Sequence, residues 1–162
     1  MSQSIDAHVR HCLRGDLRQL EFGHAFAHDR ALIRQMFRRH LRGDCCFLVV
    51  EVAGVPAGQA WVELPLAPGG VGALWAVRVR PDIRGLGLGS LLVRAALGAL
   101  VSRGAATAEL EVEPHNDGAI RFYERLGFRI EPGPPLRQPP GPALRGLLVM
   151  RRPLSGPAQE AA

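Results

Sequence analysis

The chain has 162 residues, of which 47% are hydrophobic and 22% charged, and this composition is typical of one soluble globular domain. Its formal net charge is +5, but all 20 basic residues are arginines scattered along the chain, so we expect no nucleic-acid partner. Three cysteines without C-x-x-C spacing argue against a disulfide scaffold or a zinc site, and no apolar run reaches about 18 residues. We therefore expect a cytoplasmic protein with neither a metal nor a membrane partner.

The first half of the chain predicts a strand, two helices and a β-hairpin. Residues 5–12 alternate between apolar and polar, as a strand does. Helices are predicted at 17–26 and 29–41, and the second has its apolar residues at the spacing of one buried helix face. Two strands at 45–52 and 59–64 are separated by a glycine- and proline-containing turn, which indicates a hairpin.

The second half alternates strands with helices. In chain order we predict a strand at 72–79, a helix from the glycine-rich loop to about 102, a strand at 106–113, a short helix at 117–126, a strand from 128, and a last strand at 144–151. Six of the 13 prolines lie in 132–142, which predicts an extended, non-helical loop. We expect one mixed α/β (α+β) domain at 1–153 and a disordered tail at 154–162.

A glycine-rich run, Arg84-Gly85-Leu86-Gly87-Leu88-Gly89-Ser90, lies between the predicted strand at 72–79 and the helix that follows. Backbone N–H groups at a helix N-terminus lack intrahelical partners, and the helix dipole favours an anion there. Arg84 adds a cation that can contact a phosphate through two donors. The run therefore predicts a cradle for a diphosphate.

Two other nucleotide-binding interpretations of this run fail, and a structural one stays open. A nucleotide-binding P-loop requires a lysine, and the chain contains none. A G-x-G-x-x-G dinucleotide-binding motif fits neither frame of the glycines. The remaining alternative is a turn that contains glycines for steric reasons only, and the loop alone does not exclude it.

A second motif lies downstream, at Asn116, Ala119, Tyr123, Gly127 and Phe128. Together with the glycine-rich run and the Val79-Arg80-Pro81 sequence before it, this motif resembles the GCN5-related N-acetyltransferase (GNAT) superfamily over residues 72–130. The resemblance implies a central mixed sheet of about seven strands, splayed between strands 4 and 5 and flanked by about four helices. It also implies transfer of an acetyl group from acetyl-CoA to a primary amine by direct attack in a ternary complex. A homodimer is possible.

The resemblance implies a role for each cofactor-binding residue. The backbone of Val77, Arg78 and Val79 would pair with the pantetheine arm, and the Val79 N–H would stabilise the oxyanion. The backbone amides of Arg84, Gly85, Leu86, Gly87, Leu88, Gly89 and Ser90 would bind the pyrophosphate. Asn116 would contact the pantetheine arm, cap the helix that follows it, or do both.

The resemblance implies that Tyr123 is the general acid, since a phenol with a pKa near 10 is protonated at neutral pH and can give its proton to the departing thiolate. The alternative is that its ring only packs between helix and sheet. The general base is less defined, since the strand-four position where a glutamate is often found holds Trp75. Glu63 is our first candidate, with Glu111 and Glu113 as the others.

The acceptor is expected to be selected by the helical segment before residue 42 and by two loops, at 65–72 and 132–143. Phe22, Phe26, Trp61 and Trp75 are candidates to line an apolar acceptor groove. The alternative function is a non-catalytic acyl-CoA-binding or sensing domain of the same fold. A basic RNA-binding protein is a third hypothesis, and it would bind no CoA.

Overall fold

The computed structural model describes residues 5–21 and 30–154. The strands are β1 Ala7–His11, β2 Cys45–Val52, β3 Val55–Glu63, β4 Val71–Val79, β5 Thr107–Val112, β6 Arg129–Glu131 and β7 Leu148–Pro153. The α-helices are α1 Arg30–Leu41, α2 Leu88–Ser102 and α3 Asp117–Arg125. The element order agrees with the predicted one from α1 onwards.

The seven strands form one mixed sheet in the order β1-β2-β3-β4-β5-β7-β6. Strand β4 runs parallel to β5, whereas β5 and β6 each run antiparallel to β7. The β4–β5 ladder contains three residue pairs and ends at Ala73↔Glu109, although both strands continue. Strand β5 remains paired with β7 from Thr107 to Val112. The predicted seven-stranded sheet with lost pairing between strands 4 and 5 is confirmed.

The hairpin of β2 and β3 is tighter than predicted. Its turn contains only Ala53 and Gly54, whose φ angles of 49° and 80° are both positive, as a type I′ turn requires. Strand β3 therefore begins at Val55, four residues before the predicted start at 59. Pro56 lies near the beginning of the strand, where its missing N–H is tolerated.

The first predicted helix, at 17–26, is the main difference. A one-turn 3-10 helix covers Gln19–Glu21, and the rest of the prediction lies outside the described residues. The described ranges contain three α-helices, and none of them is long and apolar enough to cross a membrane. Of the predicted tail, Leu154 donates its backbone N–H to the Ala106 carbonyl at 2.8 Å, and 155–162 lie outside the described residues.

The chain forms two compact units, which are described separately. The first comprises Met1–Val62 and Ala76–Ala96, and the second comprises Glu63–Trp75 and Leu97–Ala162. In the first unit, Phe47 and Trp61 are buried with ring centroids 5.9 Å apart. In the second unit, the buried side chains include Leu100, Phe128 and Met150.

Candidate active site

The glycine-rich run begins α2 as predicted. Gly85 and Gly87 have φ angles of +81° and +82°, in the left-handed region that costs other residues about 1–2 kcal/mol. A Cβ added at either glycine would meet no described atom within 4 Å. These glycines are therefore required by the backbone conformation and not by packing, and the space beside them is open to a ligand.

The first turn of α2 presents free N–H donors. The hydrogen bond that starts the helix runs from the Leu91 N–H to the Gly87 carbonyl at 3.2 Å, so the N–H groups of Leu88, Gly89 and Ser90 have no intrahelical acceptor. Such a turn binds anions through these donors and through the helix dipole. The geometry of residues 85–90 fits a phosphate group.

Near the end of β4, some backbone N–H and C=O groups point away from β3. The Arg80 N–H donates to the Ala57 carbonyl at 2.8 Å, so the backbone groups of Arg80 point toward β3. Because backbone polar groups alternate in direction along a strand, those of Arg78 also point toward β3, and those of Val77 and Val79 point away. The Val79 carbonyl accepts a hydrogen bond from Arg84 Nε at 3.3 Å. Val77 and Val79 thus offer backbone groups for hydrogen bonding, whereas Arg78 does not.

Ala76 was not singled out by the sequence. Its φ angle of 50° is left-handed, which is uncommon for a residue with a Cβ and typical of a bulge within a strand. This left-handed residue lies directly before Val77, the first of the backbone positions predicted to pair with the cofactor. Alanine carries no sequence signal for this conformation, and only the backbone coordinates reveal it.

Helix α3 begins at the second motif. The side chain of Asn116 caps it by accepting a hydrogen bond from the Ala119 N–H at 3.1 Å. The motif glycine, Gly127, ends this segment with a φ angle of +91°. Of the two roles predicted for Asn116, the structure provides the N-cap, and the contact with the pantetheine arm stays a prediction.

Tyr123 lies on α3 within an aromatic cluster. Its ring makes edge-to-face contacts with Phe122 and Phe128, at centroid distances of 5.0 and 5.8 Å. Burial raises the pKa of the Tyr123 phenol to about 12. In the described part of the chain, no hydrogen bond involves its hydroxyl group. The phenol is therefore protonated at neutral pH, with its proton available.

The three candidate base carboxylates have different surroundings. Glu63 is buried and lies 3.6 Å from Arg137 in an ion pair. Glu111 is half-buried, and burial, together with the charge of Glu109, raises its pKa above the ordinary value for glutamate. Glu113 is exposed just beyond the end of β5. Glu111 has no ion pair within the described ranges.

The tryptophans proposed for an acceptor groove are both buried, with 2% of Trp61 and 8% of Trp75 exposed. Trp61 donates its indole N–H to the Gln59 side-chain oxygen at 3.3 Å. The indole N–H of Trp75 has no partner among the described residues. Phe22 and Phe26 lie outside these residues. No group of three potential metal ligands occurs in 5–21 and 30–154.

Comparison with known proteins agrees with this fold. A family model described as the acetyltransferase (GNAT) family matches residues 13–128, which is more than half of the chain. The protein is an acetyltransferase-fold protein, and the chain belongs to the GNAT family.

Two proteins of similar sequence are acetyltransferases by name. A mycothiol acetyltransferase of Thermobispora bispora is 40% identical over 86 residues, which are 51% of this chain and 29% of that protein. An uncharacterized N-acetyltransferase of Methanocaldococcus jannaschii is 38% identical over 92 residues, which are 54% of this chain and 40% of that protein. The matched region thus spans less than half the length of these two relatives.

Solved structures match over nearly the whole chain. The ribosomal-protein-S18-alanine N-acetyltransferase of Escherichia coli has 26% identity and a TM-score of 0.69, with 92% of this chain and 94% of that chain covered. The PaiA N-acetyltransferase of Thermoplasma acidophilum, solved with coenzyme A, has 15% identity and a TM-score of 0.68, with 92% and 99% covered. The second match shows the fold alone.

Proposed function

We propose that this protein transfers an acetyl group from acetyl-CoA to a primary amine by direct attack within a ternary complex. The observation that carries the proposal is the open first turn of α2, where Leu88, Gly89 and Ser90 present N–H donors next to two left-handed glycines. Membership of the GNAT family supports the same conclusion. The CoA bound in the structural neighbour PaiA makes CoA the ligand to test first.

The backbone of the first unit supports the following cofactor contacts, which are part of the proposal. The amides of residues 84–90, with the Arg84 guanidinium, bind the pyrophosphate. The outward-facing backbone groups of Val77 and Val79 pair with the pantetheine amides. The Val79 N–H stabilises the negative charge that develops on the thioester oxygen. Since the Arg78 backbone groups point toward β3, we assign it no direct pairing with the arm.

Tyr123 is the proposed general acid. As the amine nitrogen bonds to the acetyl carbon and the C–S bond breaks, the thiolate of CoA takes the phenolic proton. The acetylated nitrogen then gives its extra proton to the phenolate, which restores the phenol. The raised pKa of Tyr123 keeps that proton in place until the thiolate forms. This role requires the hydroxyl group to reach the sulfur of the bound cofactor.

The proposed base must take a proton from the ammonium group of the acceptor before attack. Glu63 is the first candidate, and its ion pair with Arg137 occupies part of its carboxylate. Glu111 is the second, and its raised pKa makes it a better proton acceptor near neutral pH than an ordinary glutamate. The variants Glu63→Gln and Glu111→Gln separate the two, because only loss of the base removes the acidic limb of the pH–rate profile.

The cofactor proposal is tested with Gly87→Glu and the matched control Gly54→Glu. Both glycines have φ angles near +80° and open space around a Cβ, so their backbone strain is similar. Calorimetry should detect acetyl-CoA binding to the wild type and to Gly54→Glu, but not to Gly87→Glu. Equal affinity of all three proteins would refute the cradle.

A second assay distinguishes the enzyme from a non-catalytic binding domain. Free thiol release from acetyl-CoA is followed with a panel of primary amines. The proposed function requires release that depends on the amine. Cofactor binding without such release, across the whole panel, would support the sensing domain instead.

A further inference from the structure

An open pocket of about 470 Å³ lies beside the C-terminal half of α3, in the second unit. This α3 pocket is lined by Arg121, Glu124, Arg125 and Arg129. Three guanidinium groups and one carboxylate give it a formal charge of +2. None of these four residues has a role in the proposed acetyl transfer. The charge of the α3 pocket favours an anion as its ligand.

Two of the arginines belong to one face of α3. Arg121 and Arg125 are four residues apart, and each is two residues from Tyr123. At about 3.6 residues per turn, both lie nearly opposite the phenol around the helix axis. Among the described residues, neither guanidinium has an ion pair or a side-chain hydrogen bond, whereas Arg137 and Arg151 of the same unit pair with glutamates. The donors of Arg121 and Arg125 are therefore available to a ligand.

The third arginine is held in place by backbone carbonyls. Arg129 Nη1 donates to the Glu124 carbonyl at 3.2 Å and to the Phe128 carbonyl at 2.9 Å. A guanidinium has five N–H donors, and those on Nε and Nη2 of Arg129 have no acceptor in the described ranges. This edge of the group is a planar fork that can bind one phosphate through two hydrogen bonds. Because the fork is already fixed, little conformational entropy is lost when a ligand binds it.

The end of α3 does not cancel this positive charge. The last carbonyl groups of a helix are its negative end and normally disfavour an anion. Here the Tyr123 carbonyl accepts the Phe128 N–H at 3.0 Å, and the Glu124 carbonyl accepts the Gly127 N–H at 3.0 Å as well as Arg129 Nη1. Since these carbonyls are occupied by donors, the guanidinium groups dominate the field in the pocket.

Glu124 limits which anions fit. Its carboxylate lines the α3 pocket, and it has no ion pair within 5–21 and 30–154. An ionised carboxylate only accepts hydrogen bonds, so it stabilises a ligand that carries an O–H and repels a fully ionised one. Hydrogen phosphate and sulfate are both dianions of similar size, but only hydrogen phosphate has an O–H. The carboxylate therefore favours hydrogen phosphate over sulfate.

We propose that the α3 pocket is a binding site for the hydrogen phosphate dianion. Arg121, Arg125 and Arg129 bind its oxygens, and Glu124 accepts the hydrogen bond from its O–H. The charge of the ligand matches the formal charge of the pocket. This site goes beyond the proposed acetyl transfer and does not depend on it.

Calorimetric titration with three anions tests the selectivity, in a mildly alkaline chloride buffer of constant ionic strength. Hydrogen phosphate is compared with sulfate and with methyl phosphate, which are dianions without an O–H under these conditions. We expect hydrogen phosphate to bind the wild type at least about tenfold more tightly than the other two, and Glu124→Gln to remove most of this preference. Absence of phosphate binding to the wild type, or equal affinity for the three anions, would overturn the proposal.

The arginines are tested with the double variant Arg121→Gln and Arg125→Gln, and Arg103→Gln is the control. Arg103 is an exposed arginine of the same unit that does not line the α3 pocket. The double variant should bind hydrogen phosphate about tenfold or more weakly, because it lacks two charged donors. Arg103→Gln should stay within about twofold of the wild type. An equal loss in both proteins would indicate only general attraction by net charge and would overturn the site.

The variant Gly87→Glu separates the α3 pocket from the phosphate cradle at the start of α2. We expect it to keep its affinity for hydrogen phosphate while it loses acetyl-CoA, and the double arginine variant to show the reverse. Loss of phosphate binding in Gly87→Glu, or loss of acetyl-CoA binding in the arginine variant, would assign the phosphate to the cofactor site and overturn the inference. A wild type that binds hydrogen phosphate but no acetyl-CoA would refute the proposed function and support the α3 pocket.

Discussion

The buried carboxylate of Glu109 allows a stability prediction with a defined magnitude. It accepts hydrogen bonds from the N–H groups of Leu136 and Arg137 and forms an ion pair with Arg151, while none of its surface is exposed. The variant Glu109→Gln has nearly the same volume, so it creates no cavity. It replaces one acceptor oxygen with an NH₂ group that faces existing donors, and it leaves the Arg151 charge without one of its two carboxylate partners.

Removal of one partner from a buried ion pair costs about 3–5 kcal/mol. For a chain of this length, each kcal/mol lowers the melting temperature by about 2–4 °C, so we expect Glu109→Gln to lower it by roughly 6–20 °C. Glu113→Gln is the control, because Glu113 lies exposed just beyond the same strand and its loss should cost less than about 0.5 kcal/mol. Urea unfolding of both variants, followed by circular dichroism, measures the difference. Equal midpoints would show that the Glu109 network contributes little to stability.

Three further predictions concern other parts of the molecule. Tyr123→Phe should lower kcat at least tenfold, as measured by steady-state kinetics, and leave the affinity for acetyl-CoA unchanged. A variant with the wild-type kcat would exclude the acid role. Gly58→Ala should destabilise the protein by about 1–3 kcal/mol, because the new Cβ would lie 2.7 Å from the Arg78 carbonyl oxygen. Gly98→Ala in α2 has free space around its Cβ and should stabilise the protein by up to about 1 kcal/mol. Thermal unfolding measures both changes. Burial lowers the pKa of His40 below its ordinary value of 6.5, so the unfolded chain binds more protons than the folded one as the pH falls below 6.5. The free energy of unfolding should therefore decrease as the pH drops through 6.5. A His40→Asn variant should lose less stability over the same pH range.

Much of the fold was predictable because the patterns are local. Alternating apolar and polar residues indicated β1 and β5, and the apolar spacing of residues 29–41 indicated α1. The start of β3 was predicted too late, since the type I′ turn at Ala53 and Gly54 is shorter than the glycine- and proline-containing segment suggests. The proline-rich loop was correctly predicted to lack a helix, and its path was not predictable.

Both motifs could also be recognised from the sequence, because each consists of residues that are close together in the chain. Glycines at positions that need left-handed backbone, next to a helix start, indicated the phosphate cradle. The separation of Asn116 and Tyr123 by seven residues likewise belongs to one helix and its cap. Their roles toward acetyl-CoA stay predictions.

By itself, then, the sequence determined the family, the glycine-rich helix start and the tyrosine of α3, since short-range spacing carries all three. Tertiary structure alone decided which carboxylates are paired. Glu63 and Arg137 are 74 residues apart, and Glu109 and Arg151 are 42 apart, so no local pattern links them. The left-handed backbone at Ala76 also belongs to this second group, because the alanine side chain gives no sequence signal for it.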